Sequence, residues 1–252
     1  KSHLKTDSQK EVISIPRIQD RYLEYSSKRL TDIAIVGIHG QFPKSPDLES
    51  FWENLSSGKS LVSKTPIDRW NWKEFQDQYA FNFDEGKVSW GGFIDEFSKF
   101  DPEFFQISPR EAEVMDPQQR LFLQSAWKCI EDAGYNPKSL NQTKTGVFAA
   151  VSTRDFHEVL LIANTKIEPQ HSTGLAHSIL PNRVSYVLNL HGASETVDTA
   201  CSSSLVALHR AINAIHLNDC HQAIVGGVNL ILSPVASVAF SETGILSEDG
   251  KC

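Results

Sequence analysis

Ser194–Leu217, SETVDTACSSSLVALHRAINAIHL, decides how the rest of the chain is read. The seven residues ending in Thr199 carry β-branched Thr196, Val197 and Thr199 among polar neighbours and predict a strand. The period then changes: Leu205, Leu208, Ile212 and Ile215 recur at i, i+3, i+7 and i+10, which is one face of a helix. Cys201 falls at the turn between the two, at or beside the helix N-terminus. Such an end has backbone N–H groups without helical partners, and its aligned peptide dipoles favour negative charge. The thiolate is the reactive form of cysteine, and the same N–H groups could hold an oxyanion while a thioester is attacked. Against this stands an inert buried thiol, since cysteine is among the most buried residue types. Ser202, Ser203 and Ser204 are rival nucleophiles, although three serines at a helix start more often cap it.

Composition narrows the classes. The 252 residues suffice for one large or two modest domains, with 40% hydrophobic and 22% charged residues, as in an ordinary globular protein. The net charge of −7, with no basic stripe, argues against nucleic acid as a partner. Cys129, Cys201, Cys220 and Cys252 have no CxxC or framework spacing and read as reduced thiols of a cytoplasmic protein. Ala223–Phe240 is an eighteen-residue run without charge, but Gly226, Gly227, Asn229, Ser233 and Pro234 interrupt it, so a buried strand and a loop are expected rather than a membrane span.

Residues 1–30 are polar, without an apolar period, and read as an interdomain linker. No signal peptide is visible, and with Lys1 first and Cys252 last both ends read as cut from a longer polypeptide. Ile33–Ile38 predicts a buried strand, followed by a turn at Gly37 and Gly40 that lacks the spacing of a dinucleotide site. Asp47 predicts the N-cap of a helix that turns Leu48, Phe51, Trp52 and Leu55 inward and stops at Gly58. The aromatics Trp70, Trp72, Phe75, Tyr79, Phe81, Phe83, Trp90 and Phe93 are read as packing. Asp116, with Pro117 next and Gln119 placed for a capping box, opens a helix whose face is Leu123, Trp127 and Ile130 and whose end is Gly134. Arg120 is read as a structural salt bridge or capping contact, and Thr145–Val151 as a buried strand. His157, His171, His177 and His191 show no metal-ligand spacing. His209 lies eight residues after Cys201, about two helical turns away, too far to be its base.

The string from Val197 to His209, VDTACSSSLVALH, resembles the active-site signature of modular polyketide ketosynthases, the β-ketoacyl synthases of the thiolase superfamily. Asp32–Pro43 (DIAIVGIHGQFP), Met115–Arg120 (MDPQQR), Ala223–Asn229 (AIVGGVN) and Leu246–Cys252 (LSEDGKC) resemble further segments of that family, in its order. Gly192-Ala193 departs from the family, where Gly-Pro is usual. The resemblance implies an α/β, thiolase-like layered fold of mixed sheets covered by helices. It also implies that only the first of two halves is present, residues 31–252 being the N-terminal part of a ketosynthase domain. Cys201 would accept an acyl chain from a carrier-protein thioester. Two histidines of HGTGT and NxGH type, downstream of LSEDGKC in the family and absent from this sequence, would assist decarboxylation of a malonyl extender for a Claisen condensation. No cofactor is expected to bind directly, phosphopantetheine being delivered by the acyl carrier protein. The expected partners are that carrier protein, the missing C-terminal ketosynthase half and, in a homodimer, a second copy. Without the second half, a large apolar face would be left open. A non-elongating acyl-transfer half, a cysteine hydrolase and a noncatalytic docking piece remain as alternatives.

Overall fold

The computed structural model describes residues 32–79 and 85–251; the linker reading of 1–30, Phe81, Phe83 and Cys252 lie outside them. The elements run α1 (Leu48–Ser56), β1 (Ser63–Lys64), α2 (Trp72–Tyr79), α3 (Glu85–Val88), β2 (Trp90–Gly91), α4 (Pro109–Val114) and α5 (Pro117–Asp132). After a 3-10 turn at Pro137–Leu140 come β3 (Thr145–Ala150), α6 (Asp155–Ile162), α7 (His171–Gly174), α8 (Ile179–Leu188) and β4 (Ser194–Val197). The order closes with α9 (Ser203–His216), β5 (Gln222–Gly227) and α10 (Val235–Glu242).

The sheet that positions the site is parallel, in the order β4-β3-β5. All six residues of β3 are buried, as expected of a central parallel strand covered on both faces. Its register places Val147 opposite Ser194 and Ile224, and Ala150 opposite Val197 and Gly227. The pleat sends alternate side chains to opposite faces. Val147, Ala149 and Val151 join Leu123, Ala126, Ile130, Leu180, Val184 and Leu188 of α5 and α8. Phe148 and Ala150 join Val197 of β4 and Ala207, Ala211 and Ala214 of α9. A sheet between two helical layers results, with the strand of the 194–217 stretch at one edge and its helix on one face.

The face of α9 that meets the sheet is not the one marked by the leucine and isoleucine spacing. Its buried residues are Ser203, Ala207, Ala211 and Ala214, while Leu205 is 73% and Leu208 39% exposed. Of the four residues on the apolar face read from the spacing, only Ile215 packs against the buried cluster. The helix is apolar on two faces, and the small residues take the sheet because they let its backbone approach closely. The strand before it is also shorter than the seven residues expected, ending at Val197.

Three further expectations are corrected. No strand forms over Ile33–Ile38: Ile35, Val36 and Ile38 are 83%, 64% and 59% exposed, and the Ile38 N–H donates to the Asp132 carboxylate at 2.8 Å instead of to a strand. Asp47 caps α1 by accepting from Ser50 N, and Phe51 stacks on Phe42 at 3.9 Å, but Trp52 and Leu55 are exposed. The residues following Ala223–Gly227 do not all stay in loop, since α10 occupies Val235–Glu242. The α5 boundaries follow the sequence: Asp116 accepts from Gln118 N, and Gly134 adopts φ +79 just past the end. Trp72, Phe75 and Phe93 are buried in edge-to-face contacts with one another and with Trp70, as packing requires.

Candidate active site

Between the end of β4 and the start of α9, the chain reverses through Asp198, Thr199 and Ala200. Ala200 has φ +55, a left-handed conformation that an L-residue with a Cβ rarely adopts. The Asp198 Oδ1 atom accepts from the Ala200 N–H at 3.1 Å, an aspartate bonding its own backbone two residues on. Beyond the turn, the Ser203 hydroxyl accepts from the Thr199 N–H at 2.8 Å and donates to the Ala200 carbonyl at 2.6 Å. Ser202 donates to the Thr199 carbonyl at 2.9 Å. The serines therefore lace the turn backwards: Ser202 is the N-cap residue, yet its side chain accepts nothing from the first turn of α9. Cys201 stands exposed on this turn, two residues before α9 begins, where the sequence placed it.

The other described thiols are less exposed. Cys220 is buried and Cys129 half-buried, and burial pushes both thiols up from their ordinary range. The Asp198 carboxyl is held below its usual range, first by the Ala200 N–H and then by the Ser152 hydroxyl, with His177 and Arg154 adding positive charge nearby. Beside them lies a cleft of about 560 Å³ lined by residues that include Asp116, Arg154, His157, Ser172 and His177, but not Cys201. The His177 ring sits 3.0 Å from the Thr153 carbonyl, and its own carbonyl accepts from Thr196 of β4 at 2.9 Å. The cleft wall and β4 are thus tied together.

Gly192 fixes the approach of β4. A Cβ there would lie 2.4 Å from the carbonyl carbon and oxygen of Thr145, and Gly192 N donates to that oxygen at 3.1 Å. Ala193 in turn accepts from Val147 N at 2.7 Å, so the unusual Gly-Ala pair enters the sheet with its bonds made.

Gln119 does not complete a capping box. It is buried, and its amide donates to the carbonyls of Thr173, Gly174 and Ala176 while accepting from Arg183 at 3.1 Å. Arg120 makes a structural contact, donating to the Ser98 carbonyl at 3.4 Å with its guanidinium over the Phe156 ring, and among the described residues it forms no ion pair. His209 sits 3.0 Å from the Asn213 amide one helical turn onward. His171 and His191 make local contacts with Glu168 and Asn189. Among the described residues, no cluster of three or more metal-ligating side chains could hold an ion, and no helix is long and apolar enough to cross a membrane. The sequence reading missed the holding roles of Asp198 and Ser203; the Asp-x-Ala spacing was a legible signal for the first.

Residues 30–252 match the family described as β-ketoacyl synthase, N-terminal domain. The chain belongs to the β-ketoacyl synthases. Polyketide synthase PksN of Bacillus subtilis (strain 168) is 52% identical over 220 residues, which are 87% of this chain and 4% of that protein. Polyketide synthase ThaG of Burkholderia thailandensis is 40% identical over 219 residues, covering 87% of this chain and 4% of that protein. The ketosynthase from module 6 of the bacillaene synthase of Bacillus subtilis 168 superposes with a TM-score of 0.75 at 37% identity, over 87% of this chain and 35% of that one. For the oxazolomycin ketosynthase domain of Streptomyces albus JA3453 the TM-score is 0.77 at 38% identity, over 86% and 37% of the two chains. The fold of this β-ketoacyl synthase chain is accordingly α/β and thiolase-like, and it spans little more than a third of the solved ketosynthase chains it matches.

Proposed function

We propose that this chain is the nucleophile-bearing part of a polyketide ketosynthase and that Cys201 is its acyl acceptor. The observation that carries the reading is the exposed Cys201 thiol on a tightly bonded strand–turn–helix reversal, within a β-ketoacyl synthase sequence. An acyl chain arrives as the phosphopantetheine thioester of an acyl carrier protein. The Cys201 thiolate attacks the thioester carbonyl, and the start of α9 faces the developing oxyanion with its positive dipole end. Collapse of the tetrahedral intermediate breaks the bond to pantetheine sulfur, which leaves as a thiolate and takes up the proton that Cys201 released on ionising, and the acyl group stays on Cys201.

Condensation follows with the downstream portion in place. Its two histidines assist loss of carbon dioxide from a malonyl thioester. The resulting carbanion attacks the acyl-Cys201 carbonyl, forming a carbon–carbon bond as the carbon–sulfur bond breaks and the Cys201 thiolate returns. The reading includes a cytoplasmic setting, a homodimer, and cover over the apolar α9 face bearing Leu205 and Leu208 from the second ketosynthase half.

Intact-mass spectrometry after incubation with an acyl-thioester mimic, with and without the downstream portion, tests this. An added acyl mass that disappears in Cys201→Ala supports the acceptor role. Free acid released without an adduct would point to a hydrolase, and no turnover in either form would leave a structural half-domain.

A further inference from the structure

We propose that Asp198 and Ser203 are positioning residues that clamp Ala200 in its left-handed conformation and thereby aim the Cys201 thiol. The inference rests on the reading of Cys201 as the acyl acceptor. A left-handed alanine is strained, and such a residue persists only where its surroundings over-determine it. Here both of its peptide groups are held. The Ala200 N–H is bonded to the Asp198 carboxylate, and the Ala200 carbonyl is bonded to the Ser203 hydroxyl and to Ser203 N at 3.1 Å. The preceding Thr199 N–H is bonded to the same Ser203 hydroxyl. Ser203 is buried at the start of α9, so the turn is tied to a helix whose next buried residues, Ala207 and Ala211, pack on the sheet. Cys201 follows Ala200 directly, and its Cα direction is set by the Ala200 torsions.

Neither residue is placed to cap the helix: the Asp198 bond lies within the turn, and the Ser203 hydroxyl reaches back to residues 199 and 200. The bonds therefore stabilise the geometry of the reversal itself. The Ala200 N–H is the first cause holding the Asp198 carboxyl below its usual range, as a bond to the charged acceptor does. A displacement of the thiol by an ångström is the kind of error that slows a positioned reaction.

The test is single-turnover acylation of the complete ketosynthase-bearing polypeptide by an acyl N-acetylcysteamine thioester, followed by intact mass. Wild-type protein that takes no acyl group at Cys201 overturns the function proposed above rather than the clamp. Given wild-type acylation, Asp198→Ala lowers the limiting rate about tenfold while the half-saturating concentration stays unchanged. Asp198→Asn keeps an acceptor oxygen for Ala200 N–H and stays within about fivefold of wild type. Ala200→Gly added to Asp198→Ala recovers part of the lost rate, because glycine reaches the left-handed region without the Cβ penalty. Wild-type rates in Asp198→Ala overturn the clamp. So does an Asp198→Asn variant as slow as Asp198→Ala with no recovery from Ala200→Gly, since that pattern assigns the effect to charge.

Discussion

Asp155 opens α6 and is 7% exposed; its Oδ2 atom accepts from Leu232 N at 2.9 Å and Ser233 N at 3.2 Å. One carboxylate thus satisfies two buried donors on the segment that leads from β5 to α10. Asp155→Ala strands both, at about 1–3 kcal/mol for each unsatisfied buried group, so a loss of about 2–6 kcal/mol is expected. Asp155→Asn retains an acceptor oxygen and is expected within about 1 kcal/mol of wild type near neutral pH. The two also differ in pH dependence. Burial is the largest cause pushing the Asp155 carboxyl up, and Glu158 and Asp116 push the same way, against the two backbone bonds. The folded protein therefore holds this proton more tightly than the unfolded chain. Between the two titrations the folded state binds more protons, so the contribution of Asp155 is greatest below the unfolded value and declines as pH rises through the folded one. Asp155→Asn lacks that decline, and its stability relative to wild type improves from acid to neutral pH. Urea unfolding followed by tryptophan fluorescence at several pH values measures both effects. Equal losses in the two variants, or a gap between the Asp155→Asn variant and wild type that ignores pH, would refute the reasoning.

Gly192→Ala sets a Cβ against Thr145 main-chain atoms that cannot swing aside, and a loss of about 1–3 kcal/mol should appear as a lower urea midpoint at unchanged slope. Gln119→Leu leaves the Arg183 Nε and the carbonyls of residues 173–176 without this amide and should destabilise by about 2–4 kcal/mol, with faster proteolysis near residue 174. Leu205→Gln should change the stability of this chain by no more than about 0.5 kcal/mol, whereas Ala207→Leu overpacks the sheet side of α9 at about 1–3 kcal/mol. Reversal of that ranking in urea titrations would restore the face first read from the spacing.

The site was legible where local chemistry and tertiary structure agree. β-Branched residues before Thr199 and a helical period after Cys201 place the reversal, and Asp116, Pro117 and Gly134 mark α5, because caps and turns depend on neighbours in sequence. The buried face of α9 was not legible. Leucine and isoleucine dominate any apolar count, yet Ala207, Ala211 and Ala214 meet the sheet, a choice set by how closely helix and strands approach. Ile33–Ile38 has the composition of a buried strand, but the partner of its Ile38 N–H is Asp132, ninety-four residues away. Gln119 had the spacing of a capping box and instead bonds across to Thr173–Ala176, contacts that depend on tertiary proximity. Asp198 could be read from its own sequence as a turn former. The double bond of Ser203 to Thr199 and Ala200 required the coordinates of the turn.

The central claim is that Cys201 carries the acyl group. Peptide mapping of the ketosynthase after reaction with an acyl thioester tests it most directly, because Cys129 and the buried Cys220 serve as internal controls. The acyl mass is expected on the peptide containing Cys201 and absent from those containing Cys129 and Cys220. An adduct on either of those two, or on a serine of 202–204, with Cys201 unmodified, would contradict it.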